Sequence, residues 1–196
     1  MHAPHNEMLS RLVRFNLSDG MSPDVSPIQR RLSNMKGMYA DETAYARLVG
    51  ESDPIVYEFH DLGLPERDGA IAFGTSITHP GKVGEEYFMT KGHFHTILAT
   101  AEVYYCLRGH GYMLMESPEG DWEAQELRPG CAVYVPERYA HRSINVGTDA
   151  PLITFFAFRA DAGHDYGTIE TKGFRKRIVE RAGKPEIIDN PCWKAG

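Results

Sequence analysis

The sequence predicts an all-β chain, an antiparallel barrel or sandwich of the jelly-roll kind, preceded by a short helical extension. Two observations carry this. From residue 54 onward, short segments rich in Val, Ile, Tyr, Phe and Thr follow one another between Gly-, Pro- and Asp-rich turns, with no helical stretches separating them. The first fifty residues instead carry helix punctuation. The expected organisation is an N-terminal extension over residues 1–50 and a barrel with C-terminal strands over residues 51–196.

In chain order, Asp19-Gly20 and Ser22-Pro23 read as loop. Ser26 can cap a helix, with Pro27 at its first position and Gln29 completing a capping box, and Gly37 ends it. Asp41 can cap a second short helix, ETAYARLV, closed by Gly50. Strands are expected near 55–60, 70–78, 86–90, 93–98, 102–108, 110–116, 121–127, 131–135, 141–146 and 152–158. Ser117–Gly120 is a hairpin link, and a last pair of strands, RIVE and EIID, flanks a turn at Ala182–Pro185. Alternation from Glu102 places Tyr104, Cys106 and Arg108 on one face of their strand.

Composition narrows the function classes. The chain has 196 residues, 42% of them hydrophobic, which suffices for a core. Its formal net charge of −6 argues against nucleic acid or an anionic membrane surface as a partner. The longest apolar stretch, Leu152–Phe158, is too short to span a bilayer. The opening MHAPHNEMLSRLVRF lacks the apolar core of an export signal. Cys106, Cys131 and Cys192 show no CxxC spacing and read as thiols of a cytoplasmic protein.

The chemistry sits in Thr90-Lys91-Gly92-His93-Phe94-His95. Residues two apart in an extended strand share a face, so His93 and His95 can approach one metal ion together. Glu102 follows seven residues later and His141 much later; three imidazoles and a carboxylate suit a divalent first-row metal with open coordination positions. No GxxxxGK[ST] loop exists, and Gly109-His110-Gly111 lacks the third glycine of a dinucleotide fingerprint. His2, His5, His60, His79 and His110 read as surface or structural histidines, and the basic run Phe174–Arg177 as a solvated face.

This pattern resembles the two cupin motifs, HxH…E…G and G(x5)P…H(x3)N, matched by His93, His95, Glu102 and Gly109, then Gly130, Pro136, His141 and Asn145. Tyr87 replaces the glycine expected six residues before the first histidine, the gap to Glu102 is long, and Arg138 replaces a glycine of the second motif. With those departures, RRLSNMKGMYADE, THPGKVGEEYFMTKGHFHTILATAEVYYCLRGHGYMLM, YVPERYAHRSIN and ADAGHDYGTI together resemble the cupin-type phosphoglucose isomerases of archaea and some bacteria. The likeness runs from about residue 27 to residue 194.

The resemblance implies a double-stranded β-helix barrel that interconverts glucose 6-phosphate and fructose 6-phosphate in glycolysis and gluconeogenesis. It implies His93, His95, Glu102 and His141 as ligands of one divalent metal per subunit, Fe(II) first, with Mn, Zn or Ni compatible by ligand type. Substrate contacts are implied at Tyr57, Ser76, Thr90, Gly92, Tyr104 and Tyr166, with Glu102 and His164 catalytic and a homodimer as the assembly. Ser76 stands where the family commonly has Thr, and Phe158 where a phosphate-contacting Tyr is expected. Arg159, next in sequence, is the expected substitute for that lost hydroxyl. Hydrogen transfer is expected through a cis-enediolate with Glu102 as proton shuttle, a direct hydride shift being the alternative. An iron dioxygenase and a non-catalytic sugar-binding cupin are the rival functions.

Overall fold

The computed structural model describes residues 10, 12–61 and 66–194. His2 and His5, and most of the opening segment MHAPHNEMLSRLVRF, lie outside the described residues. Thirteen strands run as β1 (Ile28–Arg31), β2 (Ile55–Asp61), β3 (Ile71–Thr78), β4 (Lys82–Val83), β5 (Glu86–Tyr87), β6 (Glu102–Arg108), β7 (Gly111–Glu116), β8 (Trp122–Leu127), β9 (Ala132–Val135), β10 (Ala140–Asn145), β11 (Leu152–Arg159), β12 (Lys176–Arg181) and β13 (Lys184–Asp189). Two helices, α1 (Glu42–Glu51) and α2 (Tyr166–Lys172), complete the described elements with one 3-10 turn at Leu32–Met35.

The strands form three antiparallel sheets. The largest has the order β1-β2-β3-β11-β6-β9; the others are β10-β7-β8 and β13-β12-β5-β4. One apolar core includes Tyr104, Cys106, Met113, Met115, Leu127, Val135, Phe156 and Phe158. A second gathers Leu32, Met35, Phe88, Met89, Phe94, Ile144, Phe174 and Ile178. The all-β barrel expected from the turn-punctuated sequence is the architecture found.

The helix expected after Ser26 is a correction. Ile28–Arg31 instead pair antiparallel with β2, Ile28 opposite Phe59 and Arg30 opposite Tyr57. Only the following four residues wind, as a 3-10 turn that buries Leu32 and Met35 completely. Local capping signals lost to a tertiary partner, because β2 offers a free edge of backbone donors and acceptors. The second helix forms as read: the Asp41 side chain accepts the Ala44 amide at 2.8 Å, capping α1.

Two further strands change. The segment 93–98 is no strand; His93 and Phe94 make isolated bridges only, to His141 and Asp165. The pairing of β11 with β6 slips between Ile153 and Thr154, bypassing Leu107. That bulge turns Arg108 outward, where its guanidinium donates to Ser18 O at 2.6 Å. Glu102, Tyr104 and Cys106 face inward as the alternation required. Burial pushes the Cys106 thiol up to about 11, which leaves it a packing residue.

The helix α2 is not among the elements expected from the sequence. The Asp165 carboxylate accepts the Thr168 amide at 3.1 Å and caps it. Its last residue, Lys172, reaches the buried Glu116 carboxylate at 3.0 Å, and the Trp193 indole donates to the same carboxylate at 2.8 Å. Strand β7 thus anchors both α2 and the chain that follows it. Among the described residues no helix is long and apolar enough to cross a membrane.

Candidate active site

The two bridges that break up residues 93–98 also build the site. His93 N donates to His141 O at 3.4 Å and His141 N to His93 O at 3.2 Å, which sets the two histidines side by side with their rings edge to face at 4.6 Å. One residue on, Asp165 N donates to Phe94 O at 2.8 Å, which sets the neighbouring His164 ring 4.4 Å from that of His93. Glu102 opens β6 on the adjoining wall, only 2% exposed.

The ligand atoms of His93, His95, Glu102 and His141 all lie within 4.8 Å of one another. His95 Nε2 stands 3.2 Å and His141 Nε2 2.9 Å from Glu102 Oε2. Even so, His93 Nε2, His95 Nε2, His141 Nε2 and Glu102 Oε2 are buried without a hydrogen-bond partner. The far nitrogens are engaged: His95 Nδ1 faces Gly163 O at 3.3 Å and His141 Nδ1 faces Tyr139 O at 3.4 Å. A proton on each Nδ1 leaves the Nε2 lone pair aimed at the common centre, the arrangement of metal-ligating histidines. Four converging, unsatisfied buried donor atoms fit one divalent cation.

Charge at this centre is arranged by burial. Burial alone raises the Glu102 carboxyl, but His141 and His95 beside it outweigh that and hold it far below the usual carboxylate range. Burial, with His141 and His164 nearby, holds His93 well below its ordinary value. His164 is likewise lowered, by burial first and then by His95. Tyr104 is driven well up by burial and by the Glu102 charge.

These directions fix an acid response. A histidine whose folded pKa lies below its unfolded value of about 6.5 binds its proton more readily in the unfolded chain, so stability falls as pH drops through that value. Glu102 adds stability that is present above its unfolded pKa and lost as pH falls further, which acts in the same direction. The thermal midpoint of the metal-free protein is expected to fall by a few degrees between pH 7.5 and pH 5.5. A midpoint that rises over that window contradicts these assignments.

Beside the four atoms opens a cavity of about 280 Å3. Tyr57, Ser76, Thr90, Gly92, Tyr104, His164 and Tyr166 all line it. The expected substrate contacts and His164 thus gather beside the four converging ligand atoms, while Arg159 does not. The Tyr166 ring stacks on His164 at 5.8 Å. Phe158, where a tyrosine was expected, packs 5.3 Å from His95 and 5.4 Å from His164 as an apolar wall. Arg159 does not substitute for it: its guanidinium is bound to Asp161 at 2.7 Å and to Asp68 at 3.3 Å. Neighbours in a strand face opposite ways, and β11 continues regularly through Arg159, opposite Ile71.

Several lining residues escaped the sequence reading. Ser143 lies two residues beyond His141 on β10 and lines the same cavity, a position that alternation alone could have given. Ile28 and Phe59 line it through the β1–β2 pairing, invisible while residues 27–36 read as a helix. Phe156, Asp61 and Glu66 complete the wall.

Gly92 has a conformational reason to be glycine. Its φ is +75°, and a Cβ there would stand 2.6 Å from the Phe174 ring and 2.9 Å from His141 O. Gly92→Ala is expected to cost about 2–3 kcal/mol and to displace His93, read as a lower denaturation midpoint with weakened metal binding. An unchanged midpoint contradicts it.

An antiparallel jelly-roll barrel with three imidazoles and a carboxylate converging in its interior defines the molecule as a cupin with a centre able to hold a metal. Comparison with known proteins narrows the class. The model of the glucose-6-phosphate isomerase (GPI) family matches residues 29–194, and the chain belongs to that family. It is 46% identical over 183 residues to the glucose-6-phosphate isomerase of Thermococcus onnurineus, covering 93% of this chain and 96% of that one. Identity to the Thermococcus litoralis glucose-6-phosphate isomerase is 47% over 182 residues, covering 93% and 95%. A putative glucose-6-phosphate isomerase 1 of Rhizobium meliloti is 40% identical over 185 residues, covering 92% and 86%.

Proposed function

We propose that this chain interconverts glucose 6-phosphate and fructose 6-phosphate in the cavity beside His93, with a divalent cation held by His93, His95, Glu102 and His141. The observation that carries the reading is the convergence of four unsatisfied buried ligand atoms next to a hydroxyl-lined cavity, in a chain of this family. When bound, the cation supplies positive charge that stabilises the negative charge growing on the oxygens of C1 and C2.

The chain's own residues do the rest. Glu102 accepts the proton from C2 of the open-chain aldose and returns it to C1, through a cis-enediolate. His164, neutral near pH 7 because burial lowers it, opens the sugar ring by taking the proton of the C1 hydroxyl and passing it to the ring oxygen as the bond from C1 to that oxygen breaks. Tyr104 and Tyr166, kept protonated by burial, donate to sugar oxygens. Hydroxyls of Tyr57, Ser76 and Thr90 and the Gly92 amide receive the phosphate. Phe156 and Phe158 exclude water from the reacting carbons.

A second reading has its own observation. The imidazoles that hold Glu102 below the usual carboxylate range make it a weak base, which favours a direct hydride shift from C2 to C1. Fe(II) as native metal, a homodimer and a cytoplasmic setting belong to the same proposal, the last supported by Cys106, Cys131 and Cys192 as free thiols.

The test is a coupled assay of fructose 6-phosphate turnover without oxygen, after chelation and re-addition of Fe(II), Mn(II), Zn(II) or Ni(II). Turnover restored by metal is expected. Turnover that requires oxygen indicates the dioxygenase, and none at all in metal-loaded protein indicates a binding module.

A further inference from the structure

The phosphate-receiving groups named above, Tyr57, Ser76, Thr90 and Gly92, are all neutral, whereas a sugar phosphate brings about 1.5–2 negative charges at neutral pH. A cation is missing from that account. Candidates near the cavity are mostly committed elsewhere. Lys91 pairs with Glu170 at 2.5 Å, and Arg142 is buried over the Phe174 ring with one nitrogen on Lys91 O at 2.6 Å. Arg159 is held by Asp161.

Arg30 is different. Directly opposed residues of an antiparallel pair project to the same face. Ile28 lies opposite Phe59 and Arg30 opposite Tyr57 on the β1–β2 ribbon. Ile28, Phe59 and Tyr57 all line the cavity, so the ribbon turns Arg30 to the cavity side, beside the Tyr57 hydroxyl. Arg31 turns away and donates to Asp53 O at 2.9 Å. Arg30 donates to Gln29 O at 3.3 Å and is hydrogen-bonded to the Tyr57 hydroxyl that it faces, and none of the ion pairs among the described residues includes it. Most of its five N–H donors remain available.

We propose that Arg30 recognises the substrate phosphate from β1 and makes the site select phosphorylated over free hexoses. This rests on the isomerase reading of the cavity. The charge of Arg30 reaches both Tyr57 and Tyr166, restraining the rise that burial imposes on each. The acidic lining residues Asp61 and Glu66 disfavour a phosphate near them, and the Asp61 charge is felt at His164. The resulting polarity orients a sugar phosphate with its anionic end toward β1.

The experiment compares metal-loaded wild type with Arg30→Met, Arg30→Gln and Arg30→Lys. Two readouts are taken: kinetics on fructose 6-phosphate, and calorimetric titration with inorganic phosphate. Arg30→Met and Arg30→Gln are expected to raise KM and the phosphate Kd about ten- to a hundredfold, with kcat changed less than about threefold. Arg30→Lys, which keeps the charge without the fork, recovers part of both. Unchanged KM and Kd in Arg30→Gln overturn the inference, as does a fall in kcat with KM intact. If Arg30→Met does not fold, Gln against Lys decides, since equal phosphate affinity in those two overturns it. Wild type that binds phosphate through Arg30 but does not turn over fructose 6-phosphate overturns the isomerase reading instead.

Discussion

His141→Ala is expected to leave no more than about a thousandth of wild-type turnover, since losing the charge that stabilises the transition state costs several kcal/mol. His141 does three things at once. Its Nε2 stands 2.9 Å from Glu102 Oε2, its Nδ1 is fixed by Tyr139 O, and its backbone bridges His93. Alanine keeps the backbone bridge but removes the imidazole, so the remaining three ligands are left with a vacated corner in a buried site. Metal content after dialysis should fall together with turnover, while the far-ultraviolet circular dichroism stays that of the wild type. His93→Ala should behave alike. Wild-type turnover in either variant, verified free of metal, would sink the proposed role of the cation.

Glu102→Gln is the second large effect, with turnover down by about a thousandfold if the carboxylate carries the proton. Glutamine keeps the size and one oxygen ligand but cannot accept a proton, so metal content should fall less than turnover does. Isotope uptake separates the two routes for hydrogen. In heavy water a carboxylate that exchanges with solvent places deuterium at C2 of glucose 6-phosphate or C1 of fructose 6-phosphate. A hydride shift carries the original hydrogen across. Many turnovers with both carbons free of deuterium would reduce Glu102 to a metal ligand.

The residues of the site were more legible than the elements that hold them. His93, His95, Glu102 and His141 were legible as a set through the resemblance to the two cupin motifs, and the fold brings their ligand atoms together; alternation placed Tyr104 beside Glu102 on β6. What sequence could not show was competition between local and distant partners. Ser26, Pro27 and Gln29 make a sound helix start, yet the edge of β2 claimed Ile28–Arg31. The run after Gly92 alternates like a strand, but two single bridges, to His141 and Asp165, take the place of a ladder. The cost of those two misreadings falls on function: the first hid Arg30 and Ile28, and the second hid why His164 lies against His93. Phe158 and Arg159 show the reverse error, in which a missing hydroxyl invited a substitute from the adjacent position although the strand turns that position outward.

The place of β11 between β3 and β6 has a consequence for how the molecule is made. Neither β3 nor β6 has its shared neighbour until residues 152–159 have been synthesised, roughly fifty residues after Arg108. At about 5–20 residues per second that is a wait of roughly 3–10 s, with one backbone edge of each strand unpaired. His93, His95, Glu102 and even His141 emerge before the wall that encloses them. The nascent chain thus displays three imidazoles and a carboxylate to the surrounding solution before the barrel can choose among cations by shape. If the proposed cation is loaded at that stage, which ion is captured will depend on the free concentrations met during that interval, as well as on the finished pocket.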